Sequence, residues 1–160
     1  MSNVLTQINA QRRGAYQHRD SRYVSEVCDW AFPGRPTLLN VRIGPIPSEI
    51  QARYPALDTS RWARVWLKTC DAIVLDENSL VLIEGELRRP IAAIGELGVY
   101  REMIPQTRSL WAYWYLPIRT LLVTPLADPT VEPVLQALKI ETLLYRPLWV
   151  EEYLRSVHRL

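Results

Sequence analysis

The chain has 160 residues, of which 48% are apolar and 22% are charged, and its formal net charge is +2. This composition is typical of one globular domain and excludes a disordered chain, while the small net charge gives no general sign of nucleic-acid binding. No apolar run approaches the roughly 18 residues of a membrane-spanning helix, and no N-terminal segment is laid out as a signal peptide. We therefore expect a soluble, cytoplasmic protein with no membrane partner.

Arginine dominates the basic residues, because only Lys68 and Lys139 are lysines among the 19. A GC-rich genome produces such a bias without any function, whereas guanidinium groups also suit phosphates and the carboxylates of protein interfaces. Residues 1–35 form a predicted basic helical arm, which is either a solvated surface helix or a contact for nucleic acid or a protein partner. The arginines that would make this contact are Arg12, Arg13, Arg19 and Arg22.

The rest of the chain, residues 36–160, is predicted to form a single α/β domain. In chain order the patterns predict a helix over 24–32, a strand over 37–43, a helix over 48–54, strands over 61–76 and 80–87, a helix from Pro90 to about 104, strands over 109–116 and 119–124, a helix over 131–139 capped by Thr130, a strand over 141–147 and a helix over 149–158. Because strands alternate with a helix after residue 110, we expect a mixed central sheet, partly parallel and flanked by helices.

The two strands before residue 88 are predicted to form a hairpin that carries acidic residues. If the turn is symmetric about Glu77 and Asn78, Leu75 faces Leu80 and Asp71 lies directly opposite Glu84. The period of two then places one set of side chains on one face, Thr69, Asp71, Glu84, Glu86 and Arg88, and a second set on the other, Cys70, Ala72, Val74, Val81, Ile83 and Leu87.

Opposed carboxylates destabilise a strand pair unless something compensates them. The candidates are a divalent cation, an arginine, or a shared proton. The alternative is that the glutamates lie at a wet sheet end and pair with Arg88 or Arg89. In the next helix Glu96 and Tyr100 share a face, and Gly95 and Gly98 are predicted to let that helix approach the sheet closely. Glu96 would either face the hairpin or pair at the surface with Arg101 or Arg89.

These residues resemble the PD-(D/E)xK nuclease superfamily over roughly residues 60 to 147. Asp71 matches the acidic residue of the first strand, Glu84 begins the acid-x-lysine element of the second, and Glu96 to Tyr100 resembles the helix motif of the RecB-like branch. The resemblance implies a restriction-endonuclease-like core in which Asp71 and Glu84 hold Mg²⁺ or Mn²⁺. It also implies the catalytic candidates Asp71, Glu84, Glu86, Arg88, Glu96 and Tyr100.

Two positions depart from the family pattern. Glu86 stands where the family has its lysine, and Glu96 stands where the RecB-like helix has glutamine. A carboxylate at the lysine position cannot supply positive charge to a phosphate, although Arg88 on the same face could offset charge there. A guanidinium group is also a poor base, because it is effectively always protonated. The resemblance therefore implies the fold more directly than the chemistry.

Three functions follow as expectations. The first is a non-catalytic structural or interaction protein on a degenerate nuclease-like fold, within a homo-oligomeric or hetero-oligomeric assembly such as a bacteriophage particle, whose neighbours order both chain termini. The alternative is a Mg²⁺- or Mn²⁺-dependent DNA endonuclease that hydrolyses phosphodiester bonds. The third is a nucleic-acid-binding module led by the N-terminal arginines. Aromatic residues at predicted edges favour the first: Trp62, Trp66, Trp111, Trp114, Trp149 and Tyr153.

Overall fold

The computed structural model describes residues 19–55 and 67–157, and within these ranges five strands form one sheet. The first helix, α1, has its described part at 19–31. The elements that follow are β1 (Thr37–Ile43), α2 (Ser48–Arg53), β2 (Lys68–Asp76), β3 (Ser79–Gly85), α3 (Pro90–Met103), two 3₁₀ segments (Ile104–Gln106 and Arg108–Tyr113), β4 (Ile118–Thr124), α4 (Glu132–Leu138), β5 (Ile140–Leu144) and α5 (Leu148–Ser156).

The strands lie side by side in chain order from β1 to β5. The pairs β1–β2 and β2–β3 are antiparallel, whereas the pairs β3–β4 and β4–β5 are parallel. The helices α3 and α4 make the two crossover connections that parallel strands require. The prediction of a mixed α/β sheet flanked by helices is therefore confirmed. In the part of the chain that the structure describes, no helix combines the length and the apolar character needed to cross a membrane.

The hairpin of β2 and β3 has the predicted register. Leu75 pairs with Leu80 and Asp76 pairs with Ser79, so the turn consists of Glu77 and Asn78. The ladder continues as far as Ala72 opposite Ile83. This register was predictable because a two-residue turn fixes which residues face each other.

The core is divided by the sheet into two clusters. One packs α3 and α4 on the face that carries Ile73, Leu82 and Leu122, and the other packs α1 and α5 on the face that carries Val81 and Ile83. The predicted face was correct for Ala72, Val74, Val81, Ile83 and Leu87.

The predicted face of Cys70 was wrong, because Cys70 lies in the first cluster with Ile73. The regular alternation is interrupted at Asp71. The residue opposite it in β1 is Asn40, whose φ of 53° is left-handed, and Asn40 stands between the pairs Leu39–Ala72 and Val41–Cys70. A left-handed residue inside a strand breaks the ladder locally and turns the side chains near it.

Part of the predicted N-terminal arm packs into the core. The helix is continuous from residue 19, before the predicted start at 24, and Tyr23, Val24, Val27 and Cys28 are buried against the sheet. The boundary between an arm at 1–35 and a domain at 36–160 stays a prediction. The expectations for Arg12, Arg13, Trp62, Trp66 and both chain termini lie outside the described residues.

Three further local predictions were wrong. The strand predicted over 109–116 is a 3₁₀ segment followed by a turn, in which Leu110 is buried while Trp111, Trp114 and Tyr115 are 55%, 69% and 67% exposed. The helix α4 begins after Val131, with no side-chain cap, and the Thr130 hydroxyl instead donates to the Asp128 carboxylate at 2.6 Å.

The third wrong prediction concerns the glycines of α3. No neighbouring atom lies within 4 Å of the position that a Cβ atom would take on Gly95 or Gly98. These glycines therefore do not bring the helix close to the sheet. The close approach occurs instead at Gly85 in β3, where a Cβ atom would lie 2.4 Å from Cγ2 of Val24 in α1.

We expect Gly85→Ala to lower the free energy of unfolding by about 1–3 kcal/mol, because the added methyl group overpacks the contact with the buried, stiff side chain of Val24. The control is Gly95→Ala on α3, which meets open space and should raise the free energy of unfolding by about 0.5–1 kcal/mol through helix propensity. Urea denaturation of both variants measures the difference. Equal stability of the two variants would contradict the assigned contact.

Candidate functional site: a carboxylate cluster at one end of the sheet

Asp71 and Glu84 occupy opposite positions on β2 and β3, one step beyond the last regular pair. The backbone N–H of Asp71 donates to Oε1 of Glu84 at 3.0 Å, and the backbone N–H of Gly85 donates to Oδ2 of Asp71 at 3.1 Å. Each carboxyl group therefore accepts a hydrogen bond from the backbone of the opposite strand. The two acidic side chains replace strand carbonyl groups at this end of the hairpin, an arrangement that the sequence interpretation did not include.

Both of these carboxyl groups hold their protons more tightly than usual. Glu84 is 5% exposed, and burial followed by the charge of Asp71 raises its pKa. Burial also raises the pKa of Asp71, even though its hydrogen bond from Gly85 acts in the opposite direction. Two acidic groups this close and this buried favour a state in which one proton is shared between them.

Asp20 of α1 joins this pair, and the sequence interpretation missed it. The Oδ1 atom of Asp20 is buried without a hydrogen-bond partner. Burial, followed by the charges of Glu86 and Asp71, raises the pKa of Asp20 to about 7, while Arg88 and Arg19 lower it. A signal was present in the sequence, since Asp20 precedes the buried residues Tyr23, Val24 and Val27 at helical spacings of three, four and seven.

The helix α3 brings Glu96 and Tyr100 to the same site. The Tyr100 hydroxyl donates to the carbonyl oxygen of Thr69 at 3.1 Å, and burial followed by the charges of Glu84 and Glu96 raises its pKa. Although much of Glu96 is exposed, partial burial of its carboxyl group and the charges of Asp71 and Glu86 raise its pKa. Its predicted surface partner Arg101 instead donates to the carbonyl oxygen of Leu138 and pairs with Glu102.

Glu86 and Arg88 follow β3 at the rim of the site. Oε1 of Glu86 accepts the backbone N–H of Arg88 at 2.7 Å, and Nε–H of Arg88 donates to the Tyr153 hydroxyl at 2.5 Å. The Arg19 guanidinium group lies over the Tyr153 ring, 4.8 Å from its centroid. The guanidinium group of Arg88 is thus held by α5, on the side of the sheet that carries Val81, Ile83 and Leu87, and not on the face that was predicted for Arg88.

The structure therefore assembles five acidic side chains around one end of the hairpin. We call them the carboxylate cluster: Asp20, Asp71, Glu84, Glu86 and Glu96. Among residues 19–55 and 67–157, no group of three or more Asp, Glu, His or Cys side chains has the arrangement of a ready metal site. Asp71 and Glu84 are the residues that would hold Mg²⁺ or Mn²⁺, and their raised pKa values would oppose the loss of protons that metal binding requires.

Comparisons with known proteins give one distant similarity. No family model matches the chain, and no curated protein matches it. A solved structure with a similar arrangement is that of a repair endonuclease from Pyrococcus abyssi, with a TM-score of 0.40 and 16% sequence identity, covering 62% of this chain and 45% of that chain. The match spans less than half of the endonuclease. A similarity this distant carries no argument about the activity of this chain.

Asp20→Asn should change how stability depends on pH. Because the pKa of Asp20 is raised from 3.8 to about 7, the folded protein binds this proton more tightly than the unfolded chain does. The stabilisation of the folded state by the proton on Asp20 is therefore present in full below pH 4, and it is lost as the pH rises towards 7. At pH 8 we expect Asp20→Asn to be more stable than the wild type by about 1–2 kcal/mol, reduced from the full linkage effect by solvent screening.

The measurement is urea denaturation of the wild type and the variant between pH 4 and pH 8. Asp29→Asn, an exposed position on the same helix, controls for the loss of a carboxylate. A stability difference that stays constant over this range would show that Asp20 does not titrate abnormally.

Proposed function

We propose that this chain is a non-catalytic interaction protein built on a nuclease-like α/β fold. The observation that carries the proposal is the aromatic segment, residues 111–115, where Trp111, Trp114 and Tyr115 are each more than half exposed. Large rings this exposed and this close together are typical of a surface that a partner covers. The setting we propose, a large assembly such as a bacteriophage particle, rests on the sequence resemblance and its altered motif.

The electrostatics of the carboxylate cluster supports the same proposal. Phosphodiester hydrolysis needs positive charge where negative charge develops on the phosphate. Glu86 occupies the position where the nuclease pattern has its lysine, and it adds negative charge beside Asp20 and Asp71. Asp71 and Glu84 meanwhile have a structural use, because they satisfy backbone N–H groups of the opposing strands.

Purified protein should therefore leave both plasmid DNA and single-stranded DNA uncut in Mg²⁺ and in Mn²⁺, since Glu86 stands where the nuclease pattern has its lysine. The assay compares the wild type with an Asp71→Ala/Glu84→Ala variant, followed by gel electrophoresis. Cleavage by the wild type that the double variant lacks would establish a metal-dependent nuclease and reject the non-catalytic role.

Replacing the three exposed rings of the aromatic segment should change the free energy of unfolding little. A triple variant, Trp111→Ala/Trp114→Ala/Tyr115→Ala, is expected to unfold within about 1 kcal/mol of the wild type because these rings are exposed. Leu110→Ala in the same 3₁₀ segment removes a side chain that is 2% exposed and should cost about 2–5 kcal/mol. Thermal and urea denaturation test both. A large loss of stability in the triple variant would assign the rings to the core and remove the proposed surface.

A metal-dependent nuclease is the second candidate, and Asp20 is the observation that favours it. A carboxyl group with a pKa of about 7 and an unpartnered buried oxygen can accept a proton at neutral pH, as a general base for water must. Asp20 would then take over part of the role of the missing lysine. In the cleavage assay this candidate requires activity that falls at least about 100-fold in Asp20→Asn and persists in Asp29→Asn.

A further inference from the structure

The last strand of the sheet, β5, has an open outer edge. Within residues 19–55 and 67–157, β5 pairs with β4 and with no other strand. The backbone N–H of Tyr145, just after β5, donates to the carbonyl oxygen of Thr124 in β4 at 3.1 Å. Because alternate residues of a strand direct their backbone groups to the same side, Thr142 and Leu144 direct theirs away from β4. Their N–H and C=O groups therefore face outward, as a template for a further strand.

The two edges of the sheet differ in how they are protected against such pairing. Edge strands are commonly protected by proline, by an interruption of the ladder or by charged side chains. Strand β5 contains no proline and pairs with β4 without interruption, and its one charged residue, Glu141, accepts hydrogen bonds from Nε and Nη2 of Arg119 at 2.8 and 2.6 Å. The opposite edge strand, β1, is interrupted by the left-handed Asn40 and carries Arg42. The sheet is therefore open to strand addition at β5 and protected at β1.

A cavity of about 500 Å³ adjoins β5 on the face of the sheet that packs α3 and α4. Its wall is mainly apolar, with Leu122 of β4 and Leu135 of α4, and it includes Thr142 and Leu144. Leu144 is 54% exposed. A residue of an added strand that lies opposite Leu144 places its side chain on the same face, against Leu144 and beside the cavity. The open edge and the cavity thus form one site.

The charges of the cavity wall indicate the chemistry of the occupant. Asp128 and Glu132 line the cavity, whereas no lysine, arginine or histidine among the described residues does. Asp128 accepts hydrogen bonds from the backbone N–H and the hydroxyl of Thr130, and Glu132 accepts one from Gln136. Neither carboxylate forms an ion pair within the described part of the chain. A basic side chain of the occupant supplies the opposite charge. Because the one charged residue of β5 is Glu141, a second copy of this strand fits less well than a basic segment of another protein.

We propose that the open edge of β5 and this cavity bind an extended segment of a partner protein by strand addition, and that the segment carries apolar and basic side chains. Backbone hydrogen bonds to Thr142 and Leu144 hold the segment, and the cavity selects its side chains. The site goes beyond the proposed function, because it lies at the opposite end of β4 from the aromatic segment. It requires neither that segment nor the carboxylate cluster.

The probe is a display library of random peptides of about ten residues, the upper length of an ordinary strand, selected on the wild-type chain. The enriched peptides should combine apolar residues with lysine or arginine. The most enriched peptide is then labelled, and its affinity is measured by fluorescence anisotropy. A selection that enriches no peptide, or that enriches acidic peptides, would overturn the proposal.

Thr142→Pro tests the backbone pairing, because it removes an outward N–H and no bond to β4, a change that edge strands tolerate. It should weaken binding of the labelled peptide at least about threefold through the lost hydrogen bond. Thr142→Val keeps the N–H and is the matched control, with a change of less than about twofold. Equal affinity in the two variants would mean that the peptide does not pair with β5.

Asp128→Asn/Glu132→Gln tests the charge of the cavity independently, because it keeps the oxygen acceptors for Thr130 and Gln136 and removes only the negative charges. It should weaken binding at least about threefold. Asp29→Asn/Glu49→Gln removes two exposed carboxylates on α1 and α2 and should change the affinity less than about twofold. Equal losses in the two double variants would mean a general charge effect and would overturn the site.

Sedimentation equilibrium of the chain alone tests the other occupant, a second copy. A monomeric wild type supports a partner segment. A wild-type dimer that Thr142→Pro converts to a monomer would show that a second copy covers the edge, and would overturn the partner segment. Because cleavage is not measured here, these results are independent of the proposed non-catalytic role.

Discussion

The structure depends on how it accommodates two carboxyl groups that face each other across a hairpin. Asp71 and Glu84 lie on neighbouring strands, and each accepts a backbone N–H from the other strand. At the other end of the same hairpin a carboxylate is compensated differently, because Asp76 forms ion pairs with Arg35 and Arg119, each at 3.3 Å. At one end, ion pairs compensate the carboxylate. At the other end, the carboxyl groups accept backbone hydrogen bonds and their pKa values are raised.

The elements around the hairpin explain why the acidic end persists. Gly85 lets α1 approach β3 closely enough to place Asp20 beside Asp71 and Glu86, and α3 adds Glu96 and Tyr100 from the opposite face of the sheet. The aromatic segment lies at the other end of the sheet. It leads into the start of β4, next to the start of β3, where the backbone N–H of Leu80 donates to the carbonyl oxygen of Pro117. The fold thus separates two surfaces, one acidic with arginines at its rim and one aromatic, which suits a protein with more than one contact.

Much of this architecture could be predicted from the sequence, and the failures have identifiable physical causes. The register of β2 and β3 was predictable because turn chemistry and a period of two act over a few residues. The segment around Trp111 alternates like a strand, yet within residues 19–55 and 67–157 it pairs with no strand, so the local pattern alone predicted the wrong element. Cys70 was assigned to the wrong face because the left-handed conformation of Asn40 in the neighbouring strand is not visible in a pattern. Asp20 was missed because the helix start was placed at residue 24, although its helical spacing to Tyr23, Val24 and Val27 was present.

We infer that Asp71 and Glu84, whose pKa values are both raised, serve the fold at the position where the nuclease pattern that the sequence resembles has a metal ion. Titration calorimetry with Mn²⁺ at pH 7, repeated in two buffers of different ionisation enthalpy, tests this claim most directly because it detects both the ion and any displaced proton. The account predicts no saturable binding in the wild type, as in the Asp71→Ala/Glu84→Ala variant. Saturable binding with proton release in the wild type, absent from the double variant, would contradict it.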